Sequence, residues 1–329
     1  MDRIMLVDAT NNFLRNFVVQ GTTNVNGEPT GGVHGLINNL LYWSMQMMPT
    51  KIFMCWDGPN GGYKRRKILS EYKQHRKRFI RTNRSMEYTD NEIEQNKNFQ
   101  LQMVKRILET IPVIQMEYEY VEADDVISVL CALNKDKQKI IVSSDKDFYQ
   151  LLDGKTICFD PLKRAYVNLI AVQKKYGIGI PNFPLFRAIV GDKSDNIKGV
   201  LGVGPSNIIK LLPFLANQER YTVADVITYA SQQIEAKSKL SKSYQKFIDQ
   251  QDSLMKCYNV TQLVESIITN SQIQTIKTDM CKIPMFEPIA LRILASDDLQ
   301  GIDIEKLIQV MNSLNYLSKS TNNGGVVSE

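Results

Sequence analysis

The sequence predicts an α/β fold, with a mostly parallel central sheet flanked by helices and a helical C-terminal region. Three observations lead to this prediction. Short apolar runs of strand length alternate with segments whose apolar residues recur at helical spacing. Several of the short runs end in an aspartate, and binding sites in parallel sheets form at the carboxyl ends of strands. After residue 176 the strand-like runs stop, and the remaining pattern is helical.

Each element follows from a local pattern. Short apolar runs bounded by polar or turn-forming residues predict strands, and longer amphipathic runs predict helices. The polar stretch 85–98 has no clear periodicity and predicts a mobile segment. The predicted strands are 3–9, 50–57, 113–118 and 139–147, with a small hairpin at 156–161 and 165–169; the predicted helices are 32–48, 98–111 and 120–133.

The composition is that of a soluble globular protein, with 43% hydrophobic and 23% charged residues. No apolar run reaches the length of a membrane span, and "MDRIMLVDATNNF" lacks the pattern of a signal peptide. With two histidines in the chain, histidine metal sites and a serine–histidine–aspartate triad are disfavoured. The five cysteines are widely spaced and are interpreted as reduced core residues: Cys55, Cys131, Cys158, Cys257 and Cys281.

Basic residues are concentrated in one segment. Ten of the 40 lysines and arginines lie between residues 63 and 84, where Glu71 is the only acid. A solvated helix face normally alternates signs, so this block indicates contact with a polyanion, and nucleic acid is the predicted partner. Tyr63, Tyr72 and Phe79 either stack on bases or pack the segment against the protein. The candidate contacts are Lys64, Arg65, Arg66, Tyr72, Lys73, Arg76 and Arg78. On a helix, Lys73 and Arg76 would project together and suit a phosphate.

Acidic residues recur at the ends of the predicted elements. In "YVEADDVISVL" three carboxylates crowd the start of a helix, where they could favour the helix dipole as caps. Capping does not explain the whole set, because acids also follow three strands and recur in "VGDKSDN". Oxygen ligands suit Mg²⁺ or Mn²⁺, and two ions could activate a water and stabilise the leaving oxygen of a phosphodiester. The nine candidate ligands are Asp8, Asp57, Glu122, Asp124, Asp125, Asp145, Asp147, Asp192 and Asp195.

A glycine-rich turn follows the last of these acids. "GVLGVG" contains Gly199, Gly202 and Gly204, and Pro205 suits the first position of a helix. Backbone N–H groups at such a helix start can bind phosphate, with Ser206 and Lys210 as further candidates. The alternative is a plain turn between two helices.

Together these motifs resemble the 5′-nuclease, or flap endonuclease, superfamily over roughly residues 3 to 215. The length, without a fused polymerase, is similar to that of a phage-type 5′-3′ exonuclease that removes RNA primers, and we expect a stand-alone enzyme of this kind. The motifs that carry the resemblance, in chain order, are Asp8 after the first strand, "CWDGP" with Asp57, "EYKQHR" with Lys73 and Arg76, "EADD" at 122–125, "SSDKD" at 143–147, "GDKSDN" at 191–196 and "GVLGVG" at 199–204.

The resemblance implies a PIN/5′-nuclease-like fold and two Mg²⁺ ions, which Mn²⁺ could replace. It implies one site built around Asp8, Asp57, Glu122, Asp124 and Asp145, and a second that uses Asp147, Asp192 and Asp195 with Asp125 nearby. It also implies catalytic contacts from Lys73 and Arg76 on a helical arch. A helix-three-turn-helix would bind duplex, and with it a monovalent cation such as K⁺.

The resemblance further implies the organisation of the chain and its substrates. A nuclease domain would span 1–175 with its arch at about 63–98, and a helical domain would span 176–318 with the helix-three-turn-helix at about 185–215, before a disordered tail at 319–329. The implied substrates are branched or nicked duplex DNA and RNA–DNA hybrids. We expect a monomer in a bacterial or phage-infected cytoplasm, with replication proteins such as a single-strand-binding protein or a clamp as partners, and no membrane.

One departure from the superfamily pattern concerns the glycine turn. Many relatives have proline where Leu201 stands, and a lysine after the turn, where this chain has Pro205 and Ser206. Lys198 or Lys210 are candidates to supply the missing charge. Two other functions are considered: a non-catalytic binder of branched nucleic acid, and a compact PIN-type ribonuclease, which would lack the basic arch and the turn.

Overall fold

The computed structural model describes residues 2–74, 88–263, 267–299 and 301–323. Its centre is a six-stranded sheet in the order β3-β2-β1-β4-β5-β6. Neighbours among β1 to β5 run parallel, and β6 pairs antiparallel with β5. The predicted mostly parallel sheet is therefore confirmed. The strands are β1 (Arg3–Asp8), β2 (Lys51–Cys55), β3 (Ile114–Met116), β4 (Gln138–Val142), β5 (Thr156–Asp160) and β6 (Ala165–Val167).

The register places the carboxyl ends of three strands at one edge of the sheet. Asp8, which ends β1, pairs with the last residue of β2, and Val7 pairs with Val142 at the end of β4. Asp57 and Asp145 follow β2 and β4 within three residues, so both start from the same edge as Asp8. A parallel sheet forms its binding sites at this edge.

Helices cover both faces of the sheet. None of the helices in the described part of the chain is long and apolar enough to cross a membrane. The helices are α1 (Ala9–Val19), α2 (Gly31–Met47), α3 (Tyr63–Ile68), α4 (Asp90–Glu109), α5 (Ala123–Leu133), α6 (Leu169–Tyr176), α7 (Phe183–Val190), α8 (Ile208–Leu211), α9 (Val223–Glu235), α10 (Ser241–Asp249), α11 (Gln251–Thr261), α12 (Asn270–Met280), α13 (Pro288–Asp298) and α14 (Ile304–Asn323).

Alternate residues of β1 point into two cores, one on each face of the sheet. Ile4 and Leu6 belong to the core that α5, α7 and α9 to α12 complete. Met5 and Val7 belong to the core formed with α1, α2 and α4, to which α13 and α14 also contribute. Both cores therefore contain residues from both of the predicted domains.

Helix α4 begins at Asp90, inside the stretch predicted to be mobile, so that prediction is wrong for residues 90–98. Thr89 and Glu92 form a capping box in which each side chain accepts a hydrogen bond from the other residue's backbone N–H. The box satisfies N–H groups that the first turn of a helix leaves without partners. The pattern Thr-x-x-Glu is visible in the sequence and marks this helix start.

Two helix predictions near the candidate site are also wrong. Helix α3 ends at Ile68, and Lys73 lies in a turn with a positive φ of 57°, so it does not lie on a helix. Arg76, Arg78 and Phe79 lie outside the described residues. Helix α8 begins at Ile208, and residues 205–207 form a separate turn before it, so Pro205 is not the first helical residue.

The last described helix passes the predicted start of the tail. Helix α14 runs through Asn323, so residues 319–323 are helical, which corrects the predicted tail there. Residues 324–329 lie outside the described chain.

Candidate active site

A cavity of about 290 Å³ opens at the carboxyl edge of the sheet. Its lining comes from the ends of β1, β2 and β4, from the start of α1 and α5, and from the turn after α3. The charged residues in the lining are Asp8, Arg15, Asp57, Lys73, Asp124 and Asp145. Four of the predicted acids and one of the predicted catalytic cations therefore meet in one cavity.

Asp8 lies at the junction of β1 and α1, and is 8% exposed. Its Oδ1 accepts a hydrogen bond from the backbone N–H of Asn11 at 3.2 Å, which caps α1, and its Oδ2 accepts one from the Ser143 hydroxyl at 2.9 Å. Burial, together with the negative charge of Asp57, raises the pKa of Asp8 to about 7. A positive charge in the cavity would stabilise its carboxylate.

Asp57 and Asp145 each fix the start of a neighbouring helix. The Oδ1 of Asp57 accepts a hydrogen bond from the backbone N–H of Ala123 at 2.8 Å, at the beginning of α5. The Oδ1 of Asp145 accepts one from the N–H of Asp147 at 2.9 Å, which caps a 3-10 helix. Burial, against the opposing effect of this hydrogen bond, raises the pKa of Asp145. Both side chains therefore act as caps while they line the cavity.

Glu122 is held by three donors from the segment that surrounds the end of α3. Arg65 Nη1 donates to its Oε2 at 2.6 Å, the Tyr72 hydroxyl donates to the same oxygen at 3.2 Å, and the Lys73 amine donates to Oε1 at 2.5 Å. Burial alone would raise the pKa of Glu122, but Lys73 and Arg65 outweigh it and hold the pKa at about 2. Glu122 therefore remains ionised.

Arg65 also binds the third carboxylate of the "EADD" motif. Its two terminal nitrogens donate to both oxygens of Asp125 at 2.8 and 2.9 Å, and its Nε donates to the Val260 carbonyl at 3.0 Å. Arg65 is 1% exposed. It thus connects α3, α5 and α11 inside the protein. The structure places Asp125 in one cluster with Glu122 and Asp124.

The carboxylate of Asp124 shows that the cavity suits a cation. Its Oδ1 is buried, and within the described part of the chain it has no hydrogen-bond donor, although Arg65 lies 3.6 Å away. Burial raises the pKa of Asp124, and the charges of Asp125 and Glu122 add to this against the effect of Arg65. A buried carboxylate oxygen without a donor, in a cavity lined by other carboxylates, fits the ligand preference of Mg²⁺.

A second acid cluster joins Asp147, Asp192 and Asp195, with one oxygen of each carboxylate within 4.8 Å of the others. Arg187 of α7 lies among them: its Nε donates to Asp147 Oδ1 at 2.7 Å, and its Nη2 donates to Asp192 Oδ2. Burial and the charge of Asp145 raise the pKa of Asp147 to about 7 in spite of Arg187. The pKa of Asp192 is lowered, because Ser194 and Arg187 outweigh its burial.

Lys73 connects the two acid clusters. Its amine binds Glu122, and its backbone N–H donates to the carbonyl of Asp195 at 2.9 Å. Its φ of 57° is rare for a residue other than glycine, and such conformations concentrate at functional sites. Asn196 adds a further link, since its Nδ2 donates to the Glu71 carbonyl at 2.8 Å. The turn that carries Lys73 is thereby fixed against both clusters.

Two predicted nucleic-acid contacts are wrong because their side chains are buried. Arg65 is bound to carboxylates inside the protein, and Tyr72 is 2% exposed with its hydroxyl on Glu122. Lys64 is partly buried, and its amine donates to the Ile267 carbonyl at 2.8 Å. Arg66 is exposed. It therefore remains available to a polyanion.

The glycine turn adopts the conformation for which glycine is suited. Gly199 and Gly202 have positive φ values of 66° and 79°, where other residues are strained. Gly204 follows them, and Ser206 and Lys210 are exposed. The turn therefore presents Gly202, Ser206 and Lys210 at the surface, whereas Gly199 and Gly204 are half-buried, and the helix after the turn has only four residues.

Sequence reasoning missed two residues that shape the site. Arg187 precedes the "GDKSDN" motif by one helical turn, which is a spacing signal that could have identified it. Ser143 belongs to the "SSDKD" motif, but its role was not predicted, because its bond to Asp8 depends on the pairing of β1 with β4. Local patterns do not record that pairing.

The chain matches the family model of the 5′-3′ exonuclease N-terminal resolvase-like domain over residues 3–177. The chain belongs to the 5′-3′ exonuclease family. The matched segment contains the whole cavity with Asp8, Asp57, Lys73, Asp124 and Asp145. The resemblance seen in the sequence is therefore confirmed.

Similar proteins include a DNA polymerase I and a 5′-3′ exonuclease. The chain is 31% identical over 206 residues to DNA polymerase I of Caldicellulosiruptor bescii, covering 60% of this chain and 22% of that protein. It is 27% identical over 215 residues to the 5′-3′ exonuclease of Aquifex aeolicus, covering 64% of this chain and 69% of that protein. The match thus spans less than a quarter of the polymerase.

Among solved structures, the fold is similar to the flap endonuclease of bacteriophage T5 in a complex with DNA and metal ions. The TM-score is 0.63 at 17% identity, over 93% of this chain and 99% of that chain. The catalytic core of Rad2 with a DNA substrate has a TM-score of 0.54 at 14% identity, over 95% of this chain and 92% of that chain. The fold beyond residue 177 thus also matches that of known nucleases.

The raised pKa values of Asp8 and Asp147 predict how stability changes with pH. Both carboxyls titrate near pH 7 in the folded protein and near 4 when unfolded, so between these values the folded state binds more protons. We therefore expect the metal-free protein to lose stability as pH rises from about 5 to 8. The lowered pKa of Glu122 acts only at lower pH, below about 4.

Millimolar Mg²⁺ is expected to raise the thermal midpoint, and to raise it more at pH 8 than at pH 5, because a ligand that binds the folded state stabilises it. Calorimetry of the metal-free protein across this pH range, with and without Mg²⁺, measures both effects. A thermal midpoint of the metal-free protein that rises with pH would contradict the assignment of these acids to a cation site. A midpoint that is unchanged by Mg²⁺ would also contradict it.

Proposed function

We propose that this chain is a divalent-metal-dependent, structure-specific 5′-3′ exonuclease and flap endonuclease. It would hydrolyse phosphodiester bonds at the 5′ ends of DNA and RNA–DNA duplexes. The observation that carries the proposal is the pair of acid clusters at one edge of the sheet, joined by Lys73. A non-catalytic binder would not need Asp8, Asp124 and Asp147 in environments that oppose their ionisation.

The acids divide into two ligand sets for Mg²⁺, or for Mn²⁺ in its place. Asp8, Asp57, Asp124 and Asp145 line the cavity and would hold one ion, with Glu122 and Asp125 fixed behind them by Arg65. The second ion would lie among Asp147, Asp192 and Asp195. Bound ions would supply positive charge and lower the pKa of a water that attacks the phosphate.

Lys73 is proposed as the catalytic cation of the chain itself. Lys73 lines the cavity with its amine bound to Glu122, and its side chain is 17% exposed, so a phosphate placed in the cavity would meet a partly desolvated side chain. An ammonium in a partly desolvated site stabilises negative charge that develops on the phosphate. Arg76, three residues further along the same segment, is proposed to assist it.

The remaining assignments extend this proposal. Arg66, Arg78, Ser206, Lys210 and the glycine turn are proposed to hold branched or nicked duplex, with a monovalent cation such as K⁺ at the turn. The biological role would be removal of RNA primers or flaps during replication. The protein would act as a monomer in a bacterial or phage-infected cytoplasm, beside a single-strand-binding protein or a clamp. We also propose that the chain divides into a nuclease domain that ends at residue 175 and a helical domain that begins at residue 176.

Product lengths from 5′-labelled substrates test the proposal. We expect a 5′ flap to release a fragment cut near the branch, and nicked DNA and RNA–DNA duplexes to release short products from the 5′ end. A 3′ flap of the same sequence is the matched control and should resist cleavage at its branch. Equal cleavage of both flaps would remove structure-specific 5′ action from the proposal.

A further inference from the structure

The helical region contains a basic segment to which the proposed function assigns no role. Between residues 236 and 248 the chain has four lysines and no acid. Lys242 and Lys246 lie on α10 four residues apart, so they share one face of the helix about 6 Å apart along its axis. Gln250, four residues further, continues this face at the end of the helix.

This face of α10 supports the tip of the glycine turn at 199–204. Gln250 Oε1 accepts a hydrogen bond from the backbone N–H of Leu201 at 3.1 Å. The Lys246 amine lies 2.6 Å from the point that a Cβ on Gly202 would occupy. Leu201 is 77% exposed, so the tip of the turn opens to solvent, and Lys246 beside it is half-buried. A side chain at position 202 would displace the amine.

The Lys246 amine carries an unbalanced charge. In the described ranges it forms no ion pair, whereas Lys105 and Lys163 are each paired with a carboxylate. Lys198, the sequence candidate nearest the turn, lies 3.7 Å from Glu71, which partly neutralises it. The positions after the turn hold Pro205 and Ser206 and carry no charge. Lys246 is therefore the cation that the fold brings to the turn's tip.

We propose that Lys246, with Lys242 one helical turn away, contacts the phosphate backbone of duplex nucleic acid beside the glycine turn. The ligand is a polyanion with regularly spaced charges, because the two amines are spaced along one helix face, and contacts to phosphates carry no sequence information. Helix α10 would thus supply a charge that the turn's own sequence lacks. The inference deepens the proposed function, since it rests on duplex binding at the same turn.

Fluorescence anisotropy with a labelled 5′-flap duplex in EDTA tests this contact without cleavage. Lys246→Gln is expected to weaken binding several-fold and to reduce the slope of log K against log salt by about 1, as loss of one phosphate contact does. Lys242→Gln with Lys246→Gln should reduce the slope by about 2. Lys246→Arg should retain most of the affinity. Lys306→Gln, an exposed lysine of α14 on the other face of the sheet, is the control and should leave the slope unchanged.

The inference is overturned if Lys246→Gln binds with the wild-type affinity and slope, or if Lys306→Gln has the same effect. Equal thermal midpoints for Lys246→Gln and wild type exclude loss of folding as the cause. Binding without cleavage when Mg²⁺ is added would defeat the proposed function and leave the Lys246 contact intact. If the protein cleaves the flap but Lys246→Gln binds duplex as wild type does, this inference alone is defeated.

Discussion

Replacing Arg65 with methionine is expected to lower the free energy of unfolding by about 3–5 kcal/mol, the cost of removing one partner from a buried ion pair. Arg65 is 1% exposed and is bound to Glu122 and Asp125 at 2.6–2.9 Å. Its removal would leave these carboxylates buried with less compensation. Methionine fills much of the same volume, so the change isolates the charge and its hydrogen bonds. Urea denaturation measures the loss.

The neighbouring Arg66 provides a matched control. Its side chain is exposed, so Arg66→Met should change stability by less than about 0.5 kcal/mol. The same variant should weaken binding to duplex and reduce its salt dependence, while Arg65→Lys should lie between wild type and Arg65→Met in stability. Equal stabilities for Arg65→Met and Arg66→Met would show that Arg65 does not hold the acids.

Replacing Asp8 with asparagine is expected to reduce Mg²⁺-supported cleavage by at least about 1000-fold, because it removes a proposed anionic ligand that lines the cavity. The same change should stabilise the metal-free protein. Burial and Asp57 raise the pKa of Asp8 to about 7, so ionisation of Asp8 at pH 8 opposes folding. Asparagine carries no charge, so the Asp8→Asn change should raise the free energy of unfolding by at most about 4 kcal/mol at pH 8. This increase should disappear below pH 4.

Steady-state cleavage and thermal unfolding in EDTA measure the two opposite effects. Asp136→Asn serves as the control, since Asp136 is exposed before β4, at the opposite end of that strand from the cavity. It should change neither quantity. A form of Asp8→Asn that is inactive but also less stable at pH 8 would indicate a structural role instead.

The parallel sheet and the meeting of the acids could be predicted because they depend on short patterns. Asp8, Asp57 and Asp145 each follow an apolar run of strand length, and parallel pairing then brings them to one edge. The start of α4 was equally accessible, since Thr89 and Glu92 carry the capping pattern. Helix α1 was not predicted, although Asp8 caps it. The strand pattern before it led us to interpret Asp8 as a ligand only.

Which residues of the basic block are buried was harder to predict from the sequence. Arg65 and Arg66 are adjacent and chemically equal, yet one is buried and one is exposed. On α3, Arg65 lies three and four residues before the apolar Ile68 and Leu69, which places it on the inward face. That spacing is a signal, but the carboxylates that make burial tolerable come from the start of α5 and the residue before it, 57 residues away in the case of Glu122. A single segment cannot reveal such a partner.

For the C-terminal helices, too, the sequence does not reveal the packing partners. Helices α13 and α14 pack with α2 and α4 in the second core, through residues such as Leu291 and Leu307. Their apolar residues indicate that each helix has a buried face, but not which face of the sheet it covers. Likewise, the contact between Lys246 and the glycine turn depends on how α10 packs, and no motif marks it.

Hydrolysis of a 5′-labelled flap duplex, in Mg²⁺ and in excess chelator, tests most directly the claim that the two acid clusters form a metal-dependent phosphodiesterase. We predict a labelled product cut near the branch in Mg²⁺, and loss of at least about 1000-fold in rate when the chelator removes the ions. Undiminished cleavage in excess chelator would contradict the claim.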